Sequence, residues 1–128
     1  MSRKTISTTQ APGAVGPYSQ AVAANGMLFV SGQLGLDPGT GKFVEGGVEA
    51  QAERALDNME AILKAAGLGM RDVVKTTVLL ASMDDFAAVN AVYAVRFPEN
   101  PPARAAFAVK TLPLQGLVEI EAIAVTGD

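Results

Sequence analysis

Hydrophobic positions along this chain recur with two different periods, and these periods predict six strands and two helices. Apolar residues follow helical spacing from Val48 to Ala66, with charged residues on the opposite side, and Gly67 suits the end of that helix. A second helix is predicted after residues 82–85, ending near Arg96 before Pro98. Short β-rich or alternating runs predict strands at residues 4–8, 18–24, 27–31, 73–81, 103–109 and 117–125.

The order of these elements indicates an α+β fold in a single domain spanning residues 1–128. Asn25-Gly26 predicts a tight hairpin between the second and third strands, because both residues tolerate positive φ. Hairpin and helix–strand units together predict one mixed six-stranded sheet with two helices on one face. The chain is too short to cover the other face, so we expect that face to pack against other subunits.

The composition removes several classes of chemistry. The chain has no cysteine and no histidine. Thiolate nucleophiles, zinc knuckles and the Ser-His-Asp triad are therefore excluded. Catalysis must depend on groups such as arginine, carboxylates, hydroxyls and water, and we predict no metal and no organic cofactor.

Charge and hydropathy also limit the partners. The net charge is −3 with a pI of about 4.9, which argues against nucleic-acid binding because such proteins normally present a basic patch. No run approaches the roughly 20 apolar residues that cross a bilayer. The N-terminal segment lacks the apolar core of a signal peptide, so we expect a cytoplasmic protein without membrane contact.

Arg104 is the first candidate for a site. Strand alternation places Arg104, Ala106 and Ala108 on one face, and we expect the opposite face, with Phe107, to be the core. A guanidinium among small residues could bind a carboxylate through two parallel hydrogen bonds. The alternative is an arginine that extends to water at the start of a strand.

Two carboxylates in the last predicted strand are the second candidate. Glu119 and Glu121 share a face with Ile123 and Val125. Such a pair could hold and polarise a water molecule for attack. The alternative is an edge strand with both carboxylates in solvent, and periodicity does not choose between Glu119 and Glu121.

Residues near the first hairpin could line a pocket. Tyr18 follows a rigid Gly-Pro turn and could donate a hydrogen bond, although a tyrosine at a strand start often only packs. Gly32, after Ser31, permits close approach of a ligand or another backbone. Asn90 lies on an apolar helical stripe and is interpreted as a buried structural hydrogen-bonding residue.

At these residues the sequence resembles the YjgF/RidA family, the reactive intermediate deaminases. The resemblance runs nearly end to end, and the order and spacing of its blocks make it specific. The matching blocks are residues 14–21 (AVGPYSQA), 30–33 (VSGQ), 56–58 (LDN), 74–78 (VKTTV), 102–104 (PAR), 112–113 (LP) and 119–124 (EIEAIA).

The resemblance implies a chorismate-mutase-like α+β fold assembled as a homotrimer, with sites in three clefts between subunits. It also implies hydrolysis of 2-aminoacrylate and its imine tautomers, such as 2-iminopropanoate and 2-iminobutanoate, to a 2-oxo acid and ammonia. The alternatives are a trimer that binds small ligands or acts as a chaperone without turnover, and the ribonuclease or translation inhibition attributed to some relatives.

Carried over by position, the resemblance gives each candidate a role. Arg104 binds the substrate carboxylate, and Glu119 rather than Glu121 positions the attacking water. Tyr18 and Ser31 line the cleft, and Gly32 lets the ligand approach the backbone. Ala106 stands in the substrate site where many relatives have cysteine, so thiol chemistry is not expected here.

Overall fold

Six strands and two α-helices form in the predicted order. The computed structural model describes residues 2–126. The strands are β1 (Arg3–Ile6), β2 (Ala21–Ala24), β3 (Met27–Leu34), β4 (Val73–Leu80), β5 (Ala103–Ala108) and β6 (Val118–Val125). The helices are α1 (Gly47–Ala65) and α2 (Phe86–Arg96), and short 3₁₀ turns span Met70–Asp72, Met83–Asp85 and Pro113–Gln115.

The strands form one mixed sheet in the order β1-β2-β3-β6-β4-β5. Only the β4–β5 pair is parallel among the pairings of the described residues, because α2 returns the chain to the same end of the sheet. Asn25 and Gly26 have φ of 58° and 76°, which makes the tight β2–β3 hairpin that the Asn-Gly pair predicts. The predicted six-stranded α+β architecture is confirmed.

Both helices pack on one face of this sheet. The buried side of α1, which includes Leu56, Met59 and Ile62, joins a single apolar cluster with α2 and alternate residues of the strands. Strand residues of this cluster include Leu28, Val30, Val78, Leu80, Val118, Ile120, Ala122 and Ala124. Neither helix has the length and apolar character needed to cross a membrane, within residues 2–126.

The opposite face, which we call the open face, is not covered by any element of residues 2–126. Phe29, Phe107 and Val125 on this face remain 41%, 47% and 39% exposed. Glu119 and Glu121 alternate with the buried residues of β6 and therefore lie on the open face as well. An apolar surface of this kind on a small domain typically marks a contact with another protein chain.

The expectation that Phe107 marks the core face is wrong. Parallel pairing sets Arg104 beside Thr76 and Ala106 beside Val78, and Thr76 and Val78 are buried under the helices. Phe107 pairs with Leu79 and so points to the open face. The error has a simple cause, because alternation shows which residues share a face but not which face the helices cover.

The second strand begins later than the sequence predicts. β2 begins at Ala21, whereas Tyr18 lies in a bend in which its N–H donates to the Gly16 carbonyl at 2.8 Å. Tyr18 is 49% exposed. The bend leaves the ring free to line a surface cleft instead of packing within the sheet.

Candidate active site

The site is built around a bulge in β3. Val30 pairs with Ala122 and Gln33 pairs with Ile120 across the β3–β6 ladder. Ser31 and Gly32 therefore stand together opposite the single residue Glu121, which is the two-against-one count of a β-bulge. Bulges often occur next to active sites, where they redirect side chains.

Hydrogen bonds from two directions fix this bulge. The Ser31 N–H donates to the Gln20 carbonyl at 2.9 Å, and the Ser31 hydroxyl donates to the Ser19 carbonyl at 2.6 Å. The Gln33 side-chain amide donates to the Ser31 carbonyl at 3.1 Å. Because Gln20 and Gln33 are both buried, these bonds are partly shielded from water, and they restrict the position of the bulge.

A cleft of about 390 Å³ lies beside the bulge. Its polar wall includes Tyr18, Ser31, Gly32, Glu119 and Glu121. The structure thus brings together four of the residues that the sequence predicts for the site, Tyr18, Ser31, Gly32 and Glu119, although they come from separate segments. Apolar lining comes from residues Pro12, Val15, Leu34, Leu36, Pro113 and Leu114.

Glu119 is a half-buried carboxyl group whose pKa is shifted by its surroundings. Burial raises its pKa above the ordinary value, and the negative charge of Glu121 raises it further. Both effects favour the protonated form of the Glu119 carboxyl group. A carboxyl group tuned in this direction can accept a proton from water and return it within one reaction.

Arg104 is held elsewhere, at the margin of the helix-covered face. Its Nη1 donates to Asn90 Oδ1 at 2.7 Å, and its guanidinium lies 4.9 Å from the Tyr93 ring centroid and 5.6 Å from that of Phe86. Arg104 is expected from the sequence to lie among small residues with space beside it, but α2 places the rings of Phe86 and Tyr93 next to its guanidinium. Two aromatic rings and an amide orient the group through cation–π contacts and a hydrogen bond.

Asn90 makes a hydrogen bond, as predicted, but it is not fully buried. It is half-buried, and its side-chain oxygen accepts the hydrogen bond from Arg104. Phe86, Asn90 and Tyr93 are spaced four and three residues apart, so they form one stripe of α2. That stripe is visible in the sequence, but its alignment with Arg104 depends on how α2 packs over β5.

Tyr93 is itself fixed beneath the arginine. Its hydroxyl and that of Thr76 lie 2.7 Å apart in the core. Burial raises the pKa of Tyr93, although the Thr76 hydrogen bond and the Arg104 charge oppose this rise. The phenol therefore stays neutral and presents its ring face to the cation.

The described residues of this chain do not bring all the predicted site residues together. Arg104 and Ala106 lie on the helix-covered side of the sheet, whereas Glu119 lies on the open face. The described residues that line the cleft include Glu119 but neither Arg104 nor Ala106. Residues 2–126 also contain no group of three or more acidic side chains placed to hold a metal ion.

Comparison with known proteins establishes the family. The chain belongs to the family described as Endoribonuclease L-PSP, which it matches over residues 8–126. A 2-iminobutanoate/2-iminopropanoate deaminase of Mus musculus is 57% identical over 125 residues, covering 98% of this chain and 93% of that protein.

Solved structures agree in fold and sequence. RidA from the Antarctic bacterium Psychrobacter superposes with a TM-score of 0.92 at 48% identity, covering 95% of this chain and 98% of its own. E. coli TdcF with bound serine superposes with a TM-score of 0.91 at 44% identity, with the same coverage. The resemblance to the YjgF/RidA proteins is therefore confirmed.

Proposed function

We propose that this chain is an enzyme that hydrolyses 2-imino acids and their enamine tautomers to 2-oxo acids and ammonia. The observation that carries the proposal is the half-buried Glu119 carboxylate with a raised pKa in a cleft beside Tyr18 and Ser31. The name and the 57% identity of the mouse relative support the same reaction. The substrates in view are 2-aminoacrylate, 2-iminopropanoate and 2-iminobutanoate.

Hydrolysis of an imine requires little more than a water molecule held next to the imine carbon. A protonated imine carbon is already electrophilic, so a water oxygen adds to it while Glu119 accepts one proton from that water. Glu119 then returns that proton to nitrogen. As the C–N bond breaks and the C=O bond forms, the hydroxyl proton passes to Glu119 and from there to the departing ammonia or to solvent, which leaves a 2-oxo acid. Holding water and imine in reacting geometry supplies most of the acceleration in such a step.

Arg104 is proposed to bind the substrate carboxylate. Its guanidinium is exposed, and Asn90, Phe86 and Tyr93 fix it in one orientation. A planar, permanently charged group suits a carboxylate better than an ammonium does. The solved E. coli relative contains serine, a ligand with a carboxylate, which is compatible with such a role in this family.

The two halves of the site are proposed to meet between subunits of a homotrimer. Arg104 and Glu119 belong to opposite sides of one sheet, so a second copy is the simplest source of the missing half. The exposed Phe29 and Phe107 on the open face supply an apolar contact surface for that copy. A cytoplasmic location and independence from metals and organic cofactors remain predictions.

RNA cleavage is the second candidate, because the family is described by an endoribonuclease name. The cleft counts against it, since Glu119 and Glu121 would repel a phosphodiester. The net charge of −3 also offers no favourable field for a polyanion.

The deciding experiment couples the protein to a threonine or serine dehydratase that releases the imine in place. The proposal expects imine loss and ammonia release to accelerate above the spontaneous rate, and Glu119→Gln to remove most of that acceleration. Incubation of a labelled RNA under the same conditions serves as the comparison. Unaccelerated imine decay with the trimeric wild-type protein would refute the proposed function.

A further inference from the structure

We propose that the β3 bulge sets the position of the Glu119 carboxylate, with Gly32 as the positioning residue. This inference rests on the proposed function for its kinetic consequences, but its structural content stands on its own. It differs from the role that the family resemblance gives Gly32, which is close approach of the ligand to the backbone.

The contact between Gly32 and Glu119 leaves no space for a side chain. A methyl group built on Gly32 would lie 2.8 Å from Glu119 Cδ and 3.0 Å from Cγ, and closer still to Oε2. The acidic end of Glu119 therefore lies directly against the Gly32 backbone. Any residue larger than glycine would displace the carboxylate.

Backbone conformation does not explain the glycine. Gly26, Gly41, Gly46, Gly47 and Gly67 have positive φ, and Gly32 does not. The Gly32 backbone therefore lies outside the left-handed region that favours glycine. The contact with Glu119 is the feature of this position that requires a hydrogen in place of Cβ.

The bulge brings this contact about. It adds one residue to β3 opposite β6, which interrupts the simple alternation of sides at Ser31 and Gly32. The buried Gln33 amide and the Gln20 backbone fix the added residue through Ser31. Hydrogen bonds thus hold the backbone that Glu119 contacts, while Glu119 itself has a flexible side chain.

The position of the carboxylate decides its chemistry. Contact with the bulge contributes to the half-buried state of Glu119, which is the largest cause of its raised pKa. Attack on an imine also requires the water to be held within a narrow range of positions, and a misplacement of about 1 Å can cost about 100-fold in rate. Gly32 acts on the reaction through Glu119.

The first test is Gly32→Ala. The atoms that must move are the far end of the Glu119 side chain, so folding and thermal stability should be retained. We expect kcat to fall at least about tenfold while KM changes less than about twofold, because Arg104 and not Glu119 binds the substrate carboxylate. Gly69→Ala is the matched control, since Gly69 lies outside the cleft and a Cβ there meets no atom within 4 Å.

The second test combines Gly32→Ala with Glu119→Gln. If Gly32 acts through the carboxylate, the double variant should be no slower than Glu119→Gln alone, with residual turnover measured at high enzyme concentration. An added loss in the double variant, or a loss confined to KM, would overturn the proposal and favour direct contact between Gly32 and the ligand.

The third test does not depend on turnover. Crystal structures of the wild type and Gly32→Ala should show the Glu119 carboxylate displaced by about 1 Å or more with the β3 backbone unchanged. An unmoved carboxylate, or a variant that fails to fold because the backbone moves instead, would refute the proposal. If the wild type does not hydrolyse imines, the proposed function fails, and this structural comparison still decides the role of Gly32.

Discussion

The two faces of the sheet are built from alternate residues of the same strands, yet they carry different parts of the proposed site. The helix-covered face is a closed apolar core, and at its margin α2 holds Arg104 in a fixed orientation. The open face has exposed phenylalanines together with Glu119 and a neighbouring carboxylate. The difference places Arg104 and Glu119, the two residues proposed to act on the substrate, on opposite sides of the sheet in one chain.

Disrupting the subunit contact proposed for the open face should have the largest effect on activity. Phe107→Asp would place a charge at the proposed contact between subunits, where desolvating it is costly. We expect the trimer, three times the 13.2 kDa chain, to dissociate at micromolar concentration with loss of nearly all activity. Sedimentation equilibrium and imine turnover measure the two effects.

Val95→Asp is the control for that substitution, because Val95 is 73% exposed on α2, on the other side of the molecule. It should leave both mass and rate unchanged. A Phe107→Asp protein that remains trimeric and fully active would show that the open face is not the contact.

Removing the Arg104 guanidinium should have the next largest effect on activity. Hydrogen bonds to charged groups contribute about 1.5–3 kcal/mol, so Arg104→Ala should lower kcat/KM at least about tenfold. Arg104→Lys should restore little, because an ammonium lacks the planar pair of donors. Asn90→Ala, which removes only the 2.7 Å contact that orients Arg104, should lose less than Arg104→Ala.

Thermal melts should be close to wild type for the Arg104 variants, because Arg104 is exposed. Steady-state imine hydrolysis gives the rate. Wild-type activity in a folded, trimeric Arg104→Ala protein would contradict the proposed carboxylate site.

The smallest effect should come from Glu121, which shares the open face with Glu119 but is not proposed to react. Glu121→Gln removes a charge that raises the pKa of Glu119, so this pKa should fall. If ionised Glu119 is the active form, activity should persist to lower pH in the variant, with little change at neutral pH. A pH–rate profile, corrected for spontaneous imine hydrolysis, measures the shift.

The same pair tests the assignment of the water-binding carboxylate. Glu119→Gln should lower kcat far more than Glu121→Gln at every pH. Equal losses, or a larger loss from Glu121→Gln, would show that the roles are reversed.

Local patterns predicted most of the fold and much of the cleft. Helical spacing predicted α1, the Asn-Gly pair predicted the β2–β3 hairpin, and the order of the elements predicted the mixed sheet. Tyr18, Ser31, Gly32 and Glu119 line one cleft of the described chain, while their individual roles remain predictions.

What the sequence did not reveal depends on contacts between distant segments. The register of β5 with β4 decides which side chains of β5 point toward the helices. Because Phe107 is more apolar than Arg104, hydrophobicity alone predicts the wrong face as the core. No hydrophobic pattern in the eight residues of β3 indicates the bulge at Ser31 and Gly32. The contact of Asn90 with Arg104 likewise appears only after α2 packs over β5.

The most direct test of the central claim mixes two inactive variants. If each site takes Arg104 from one subunit and Glu119 from another, trimers assembled from Arg104→Ala and Glu119→Gln chains contain some intact sites. In a cyclic trimer formed at random from equal amounts, about a quarter of the sites pair two native residues, so about a quarter of wild-type activity should return. Native mass spectrometry would confirm that mixed trimers form. Mixed trimers no more active than the two parent variants would contradict a site shared between subunits.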